Sequence, residues 1–178
     1  MFTTERLLLR AYTAADLVTI LRIANNPLVQ RTLISEHVVP RSERFAAKLE
    51  EIANGALLYV VLEAIDRDGE VIGAASLTVA STKNWDIELG IGLLPDVWNK
   101  GYGAEATRFL VDYAFKDLGV HRVSLGVLEN NKGAIEMYKK IGFVEEGRRR
   151  KANWLDGVWH DSIYMGILDE DWLRPTAN

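Results

Sequence analysis

The stretch "LLPDVWNKGYGAEATRFL" (residues 93–110) places two glycines, Gly101 and Gly103, directly before a run with helical periodicity. Glycine costs backbone entropy, and helix starts usually carry Ser, Thr, Asp or Asn instead. The N-terminus of a helix offers unpaired N–H groups and the positive end of the helix dipole, and glycines let this backbone approach a phosphate without an intervening Cβ. We therefore expect residues 98–104 to form a cradle for a pyrophosphate.

Two other interpretations of the glycines stay open at this point. An ordinary strand-to-helix connection would need no ligand. Residues 101–106 also match the G-x-G-x-x-A pattern of dinucleotide-binding proteins. However, "PDVWNK" (residues 95–100) separates the glycines from the preceding strand, and the later chain lacks alternating β-α-β-α units. A G-K-[ST] phosphate loop does not fit, because Lys100 precedes Gly101.

The composition of the chain indicates one globular domain spanning residues 1–178. A net charge of −4 argues against nucleic acid as a partner. The chain has no cysteine, and His37, His121 and His160 are far apart, so we expect no metal site. The longest apolar run, residues 56–62, is far shorter than a membrane span of about 20 residues. We therefore expect no membrane partner and, by default, a cytoplasmic location.

Hydrophobic periodicity and turn residues predict an α+β fold with the element order β-α-α-β-β-β-α-β-α-β-β. A first strand within residues 5–12 leads into a helix that Thr13 caps and Pro27 ends. The resulting central sheet is mixed, antiparallel at first and with a parallel crossover in the middle. The other predicted strands and helices lie at residues 41–55 (helix), 56–65, 70–80, 85–95, 103–118 (helix), 121–129, 131–142 (helix), 143–150 and 158–168.

Two motifs in this order resemble those of one known family, the GCN5-related N-acetyltransferases (GNAT). "WNKGYGAEA" (residues 98–106) is similar to the family's Q/R-x-x-G-x-G/A signature, with Trp98 at the first position as in the RimJ/RimL-type branch. "ENNKGAIEMYKKIGFVEEG" (residues 129–147) is similar to its N-x-x-[SA]-x-x-x-Y-x-x-x-G-F motif. The matching positions of the second motif are Asn131, Ala134, Tyr138, Gly142 and Phe143.

This resemblance, which covers nearly the whole chain, implies a GNAT fold and an acetyl-CoA-dependent N-acetyltransferase. Acetyl-CoA would be the cosubstrate and no metal would take part; a primary amine would attack directly in a ternary complex. Pantetheine would pair with the end of strand 85–95 by strand addition, and Lys100 or Lys132 could meet the adenosine phosphates. The implied cofactor contacts are Ile91, Gly92, Leu93, Trp98, Asn99, Lys100, Gly101, Tyr102, Gly103 and Asn131.

Two residues are the candidate catalytic groups. Regular alternation places Asp86, Glu88, Gly90 and Gly92 on one face of their strand, and Glu88 is the candidate general base, directly or through water. The alternative is a solvated strand carboxylate. The second motif makes Tyr138 the candidate proton donor to the departing thiolate, although Tyr138 also fits a core tyrosine on a helical stripe.

The family usually frames its acceptor between residues 25–41 and residues 148–160 of a chain like this one. Both stretches contain few acids, whereas a polyamine would prefer several carboxylates. We therefore expect a small-molecule or peptide amine as acceptor: a protein N-terminal α-amine, an amino acid or another small amine. A polyamine acetyltransferase of the same fold is the alternative.

Two functions from other classes also stay open: a nicotinamide-dependent oxidoreductase and a non-catalytic acyl-CoA sensor. The basic run at residues 148–151 is interpreted as a solvated strand edge, with contacts to an acidic substrate as the alternative. The assembly state stays open between a monomer and a homodimer.

Overall fold

The computed structural model describes residues 1–34, 37–42 and 44–173. Within these residues a single sheet has the strand order β1-β2-β3-β4-β5-β6-β8-β7. Every neighbouring pair is antiparallel except β5–β6, which is parallel. The strands are β1 (Phe2–Thr3), β2 (Leu7–Arg10), β3 (Leu58–Ala64), β4 (Glu70–Ser81), β5 (Asp86–Leu93), β6 (Arg122–Leu128), β7 (Val144–Leu155) and β8 (Val158–Leu168).

The helices cover both faces of this sheet. A Cβ built on Gly92 would lie 4.0 Å from Ile23 of α1, so this face of β5 looks toward α1. The next residue, Leu93, looks the other way, toward α4 and α5, because its side chain lies beside Gly103. The helices are α1 (Leu17–Ala24), α2 (Pro27–Gln30), α3 (Phe45–Gly55), α4 (Tyr102–Lys116), α5 (Lys132–Ile141) and α6 (Asp169–Leu173).

The parallel pair, β5 and β6, lies inside the sheet and separates at one end. Its strands pair only from Asp86↔Arg122 to Glu88↔Ser124, although β5 continues to Leu93 and β6 to Leu128. The two strands therefore part beyond Glu88, and no strand among the described residues pairs with the β6-side edge of β5 there. The register of β5 with β4 is regular from Ile87 to Leu93, so the predicted alternation of Glu88 and the two glycines is correct.

The sequence prediction of the fold is confirmed, with local differences. Pro27 does not end the first helix, which stops at Ala24; it opens α2, because Asn26 accepts a hydrogen bond from the Leu28 N–H and Pro suits the first turn of a helix. Strand β1 and helix α6 were not predicted, and β7 runs to Leu155 instead of residue 150. Lys151, with a φ of 49°, lies in an irregular part of β7 that a two-residue alternation does not reveal.

The core lies between the sheet and the helices. Ala106, Leu110 and Ala114 of α4 are fully buried and belong to one apolar cluster with residues of β2 to β6 and β8. Helix α3, in contrast, contains no fully buried residue. The face of the sheet beneath α4 is therefore tightly closed, whereas the face beneath α3 is more open.

Candidate active site

The loop between β5 and α4 carries a row of unpaired backbone donors. Among the described residues, the N–H groups of residues 99–104 donate to no acceptor, and the first closing bond runs from Glu105 N to the Gly101 carbonyl. Gly101 is the N-cap of α4, with a φ of 91°. Successive N–H groups before a helix N-terminus form an anion-binding concavity. The loop therefore has the form expected of a phosphate cradle.

The two glycines serve this loop in different ways. Gly101 has the left-handed backbone conformation, which residues other than glycine rarely adopt. Gly103 has ordinary dihedrals, and a Cβ there would lie 3.3 Å from Met137 Sδ and 3.4 Å from Leu93 Cδ1. The expectation that both glycines clear space for a phosphate is thus too simple, because Gly103 allows α4 to pack against α5 and β5.

A clamp from the N-terminal segment holds the loop in place. The Arg6 guanidinium donates to the Lys100 carbonyl at 2.9 Å and to Glu105 Oε2 at 3.0 Å. Glu105 Oε1 also accepts from Thr4 Oγ1 at 2.6 Å and from the Arg6 N–H at 2.7 Å. Burial opposes ionisation of Glu105, but these hydrogen bonds outweigh it and lower its pKa. No motif in the sequence pointed to this clamp, because its two sides lie far apart along the chain.

Tyr102 and Lys100, both predicted contacts of the cofactor, do not present their side chains to the cavity beside the loop. The Tyr102 hydroxyl donates to Asp66 at 2.8 and 2.9 Å, and Arg6 stacks on its ring at 4.6 Å. The Tyr102 ring is therefore structural. Tyr102 can therefore serve the cradle only through its backbone, whereas Lys100 stays a predicted contact.

A cavity of about 740 Å³ opens next to the loop, and we call it the loop-side cavity. It brings together most of the predicted cofactor contacts: Ile91, Gly92, Leu93, Trp98, Asn99, Gly101, Gly103 and Asn131. Sequence reasoning missed several other lining residues, including Val29, Thr32, Leu33, Arg108 and Lys140. Helical spacing could have placed Arg108 one turn beyond Ala104, on the same side as the cradle.

The end of β5 forms one wall of this cavity. Trp98 Nε1 donates to the Leu93 carbonyl at 2.9 Å, which ties the loop to the strand. Asn131 caps α5 by accepting from the Ala134 N–H at 3.3 Å, and its side chain also lines the cavity. Because β5 lacks a partner on its β6 side here, its edge is available to an extended ligand.

Tyr138 belongs to the core and also lines the loop-side cavity, so its position agrees with both interpretations from the sequence. Its ring is 7% exposed, belongs to the core cluster and meets Phe143 edge-on at 5.6 Å. Its hydroxyl has no hydrogen-bond partner among the described residues, and the residue lines the loop-side cavity. Burial raises the pKa of Tyr138 to about 12, so the phenol keeps its proton at neutral pH.

Glu88 lies in a second cavity of about 570 Å³ between α3, α1 and the sheet, which we call the α3-side cavity. The Glu88 side chain is exposed on β5, and Gly90 follows on the same face. A Cβ at Gly90 would lie 3.0 Å from Ser76 Oγ, so the bare position keeps the groove open beside Glu88. The α3-side cavity is accordingly the candidate acceptor site.

Only one part of the expected acceptor frame lines the α3-side cavity. Residues 29, 32–34 and 41 line the α3-side cavity, but no residue of 148–160 does; Tyr164 of β8 takes that place. The tip of the β7–β8 hairpin instead holds an ion pair of Asp156 with Arg31 at 3.1 Å and an exposed Trp154–Trp159 pair with ring centroids 5.2 Å apart. The ion pair connects the tip to the segment that follows α2, next to the lining residues 32–34.

The basic run lies on β7, at the edge of the sheet, and is exposed, as expected. Arg148 pairs there with Glu145, Glu129 and Asp161 at 3.1 to 3.5 Å. Among the described residues there is no cluster of His, Asp or Glu that could hold a metal ion. No helix within the same residues is long and apolar enough to cross a membrane.

Comparison with known proteins decides the family. A model described as "Acetyltransferase (GNAT) domain" matches residues 6–144. The chain belongs to the GNAT acetyltransferases. The mostly antiparallel sheet does not support the dinucleotide-binding alternative.

Several relatives of this GNAT acetyltransferase are named for different acceptors. The chain is 32% identical over 149 residues to YdaF of Bacillus subtilis, provisionally named a ribosomal N-acetyltransferase, covering 84% of this chain and 76% of YdaF. It is 30% identical over 175 residues to the spermidine N(1)-acetyltransferase of Vibrio cholerae, covering 96% and 97%. A crystal structure of the Vibrio cholerae spermidine N-acetyltransferase with CoA and spermine superposes with a TM-score of 0.82 at 27% identity, covering 96% and 100%. The chain is an acyltransferase by family, and these relatives leave its acceptor unsettled.

Proposed function

We propose that this GNAT acetyltransferase uses acetyl-CoA to acetylate a primary amine by direct attack in a ternary complex. The acceptor is a protein N-terminal α-amine, an amino acid or another small amine. One observation carries the proposal: the loop-side and α3-side cavities have eight lining residues in common. These are Val29, Thr32, Leu33, Ile91, Gly92, Asn131, Ala134 and Tyr138. Acetyl-CoA in the loop-side cavity and an amine in the α3-side cavity can therefore meet at these shared residues.

The residues of the loop-side cavity fit acetyl-CoA. The unpaired N–H groups of residues 99–104 suit a pyrophosphate, and Arg108, Lys132 and Lys140 place positive charge in the same lining. The free edge of β5 near Ile91 suits the amides of pantetheine, with Asn131 opposite. Bound here, acetyl-CoA would supply an acetyl group activated as a thioester.

Glu88 and Tyr138 have the roles that the transfer requires. The amine nitrogen forms a bond to the thioester carbonyl carbon, and the C–S bond breaks. Glu88, directly or through a water molecule, accepts the proton that the amine loses. Tyr138, protonated at neutral pH, donates its proton to the thiolate that leaves. The products are an amide and free CoA, and the two residues regain their starting forms by exchange with solvent.

A polyamine acetyltransferase is the second candidate, because the similarity to the Vibrio cholerae enzyme extends over nearly the whole chain. The competing sensor hypothesis requires acetyl-CoA to bind without turnover. A single experiment separates these functions: the purified protein is incubated with acetyl-CoA and a panel of amines, and both released thiol and acetylated amine are quantified. Amine-dependent thiol release with a matching amide supports the enzyme; binding of acetyl-CoA without any amide supports the sensor.

A further inference from the structure

Gly92 of β5 is a glycine that the backbone of this fold does not require. Its φ is not positive, and it pairs in regular register with Ala74 of β4. Among the described residues, a Cβ built there would meet only Ile23 Cγ2 of α1, at the ordinary contact distance of 4.0 Å. Glycine inside a strand is less stable than alanine. Alanine would therefore fit here and strengthen the strand, so the bare position has another reason.

The glycines beside it differ in this respect. A Cβ on Gly73 of β4 would collide with the Gly92 carbonyl oxygen, and a Cβ on Gly90 would lie only 3.0 Å from Ser76 Oγ. Contact with pantetheine does not explain Gly92 either, because strand addition uses backbone N–H and C=O groups, which nearly every residue carries. Glycine inside a strand often marks the close approach of a ligand. The bare position at Gly92 is therefore interpreted as space for a substrate.

The sheet around Gly92 forms a floor that becomes lower toward β5. Directly paired residues lie on the same face of a sheet, and two rows of them cross from β3 through β4 to β5. One row is Tyr59, Ser76 and Gly90, and the other is Val61, Ala74 and Gly92. Side-chain size falls along both rows, and all members except Val61 line the α3-side cavity. The floor is thus deepest over the two glycines, where Gly90 is exposed and Gly92 is half-buried.

This hollow lies where the amine must react. Gly90 follows Glu88 on the same face, about 7 Å along the strand. Gly92 and Tyr138 both belong to the residues that the two cavities share. An amine that reaches the thioester beside Tyr138 and loses its proton toward Glu88 therefore lies over the two glycines. The carbon bonded to the amine nitrogen lies over them as well.

We infer that Gly92 determines acceptor specificity, because its missing side chain makes room for an apolar substituent on the carbon that carries the reacting amine. Ala74 beside Gly92 and Ile23 across from it make this space apolar. The preferred acceptor is accordingly an amine of the amino-acid type, with a side chain on that carbon. An unbranched amine, such as either end of a polyamine, leaves the space empty. This inference rests on the proposed function and narrows its acceptor.

The test compares kcat/KM for glycinamide, alaninamide and leucinamide at saturating acetyl-CoA. These amides share the reacting α-amine and differ only in the side chain on the neighbouring carbon. Because burial of a leucine side chain is worth about tenfold or more in an equilibrium constant, leucinamide should react at least about tenfold more efficiently than glycinamide. Alaninamide should lie between the two, and leucinamide should also exceed spermidine.

Two variants assign the effect to this position. Gly92→Ala places one methyl group in the hollow and should lower the ratio of leucinamide to glycinamide efficiency by about tenfold or more, because one methylene changes selectivity in an apolar pocket by about 10–200-fold. The ratio is the readout because any change in acetyl-CoA binding affects both amines alike. Gly147→Ala is the matched control and should leave the ratio unchanged. Gly147 lies in β7 outside both cavities, and a Cβ there would meet no described atom within 4 Å.

Several results would overturn the inference while the acetyltransferase stands. They are wild-type efficiency that does not rise from glycinamide to leucinamide, spermidine favoured over leucinamide, and a ratio that Gly92→Ala leaves unchanged. If Gly92→Ala instead lowers the use of propionyl-CoA relative to acetyl-CoA, the space belongs to the acyl group of the donor. A clearly lower melting temperature of Gly92→Ala would show that the fold itself needs this glycine, which also overturns the inference. Failure to acetylate any amine overturns the proposed function, and the inference with it.

Discussion

Replacing Tyr138 by phenylalanine separates the proposed catalytic role of this residue from its packing role. The ring, 7% exposed, keeps its contacts in the variant. The hydroxyl has no partner among the described residues, so the usual loss of about 0.5–1.5 kcal/mol for a deleted hydrogen bond should not occur. Stability should therefore stay within about 0.5 kcal/mol of the wild type, while kcat should fall.

The expected fall in kcat is about 10²-fold, the low end for a lost acid catalyst, because a thiolate is a tolerable leaving group. This corresponds to about 2.7 kcal/mol of activation free energy. Steady-state thiol release gives kcat, calorimetric titration gives the Kd of acetyl-CoA, and thermal unfolding gives stability. Acetyl-CoA affinity should stay close to that of the wild type.

Tyr12→Phe is the control, because the Tyr12 hydroxyl likewise has no hydrogen-bond partner among the described residues, but it is buried and lies outside both cavities. This variant should change neither kcat nor the Kd of acetyl-CoA. The reasoning is refuted if Tyr138→Phe turns over within about threefold of the wild type, and more so if it also melts at a clearly lower temperature.

Three further changes test the rest of the site and the fold. Glu88→Gln should lower kcat by about 10²-fold or more with an unchanged Kd for acetyl-CoA; full activity at every pH would remove Glu88 from the mechanism. Gly101→Ala should weaken acetyl-CoA binding by about tenfold or more in a thermal-shift titration, because alanine disfavours a φ of 91°. Gly103→Ala should keep most of the affinity. Equal losses of affinity in the two variants would contradict the different roles assigned to these glycines. The Arg10 guanidinium lowers the pKa of Asp16 from 3.8 to about 2. Ionised Asp16 therefore stabilises the fold above about pH 4, and this contribution to stability disappears as the pH falls toward 2. Asp16→Asn should cost about 2 kcal/mol at pH 7 in urea unfolding and almost nothing near pH 2; a loss that is independent of pH would show that the ion pair is not its source.

Features set by neighbouring residues could be predicted from the sequence. The hairpin turn at Asp156–Gly157 has the positive φ values, 50° and 79°, that its residue types indicate. Alternation along β5 placed Glu88 and Gly90 on one face because the pairing with β4 is regular there. The glycines and the periodicity after them predicted a helix from residue 103, and α4 begins one residue earlier, at Tyr102, with Gly101 as its N-cap.

Features that depend on distant partners could not be predicted. The clamp joins Arg6 to Glu105, about a hundred positions further along the chain. In the sequence alone, Glu105 looks like any solvated acidic residue in the first turn of a helix. Ile34 lies so close to β6 that a Cβ on Gly126 would be 2.8 Å from it, a contact that no local pattern encodes. The close packing at Gly103 involves Met137, a residue of another helix. Tertiary packing decided each of these features.

The acyltransfer itself is tested most directly by mass spectrometry of the reaction products. The protein and acetyl-CoA are mixed with each amine of the panel in turn, and the acetylated amine is quantified against free CoA over time, with amine-free and heat-denatured samples as blanks. We predict that amide and CoA appear in equal amounts and only with the folded protein. If acetyl-CoA binds but no amide forms above the blanks with any amine of the panel, the account of the chain as an N-acetyltransferase is contradicted.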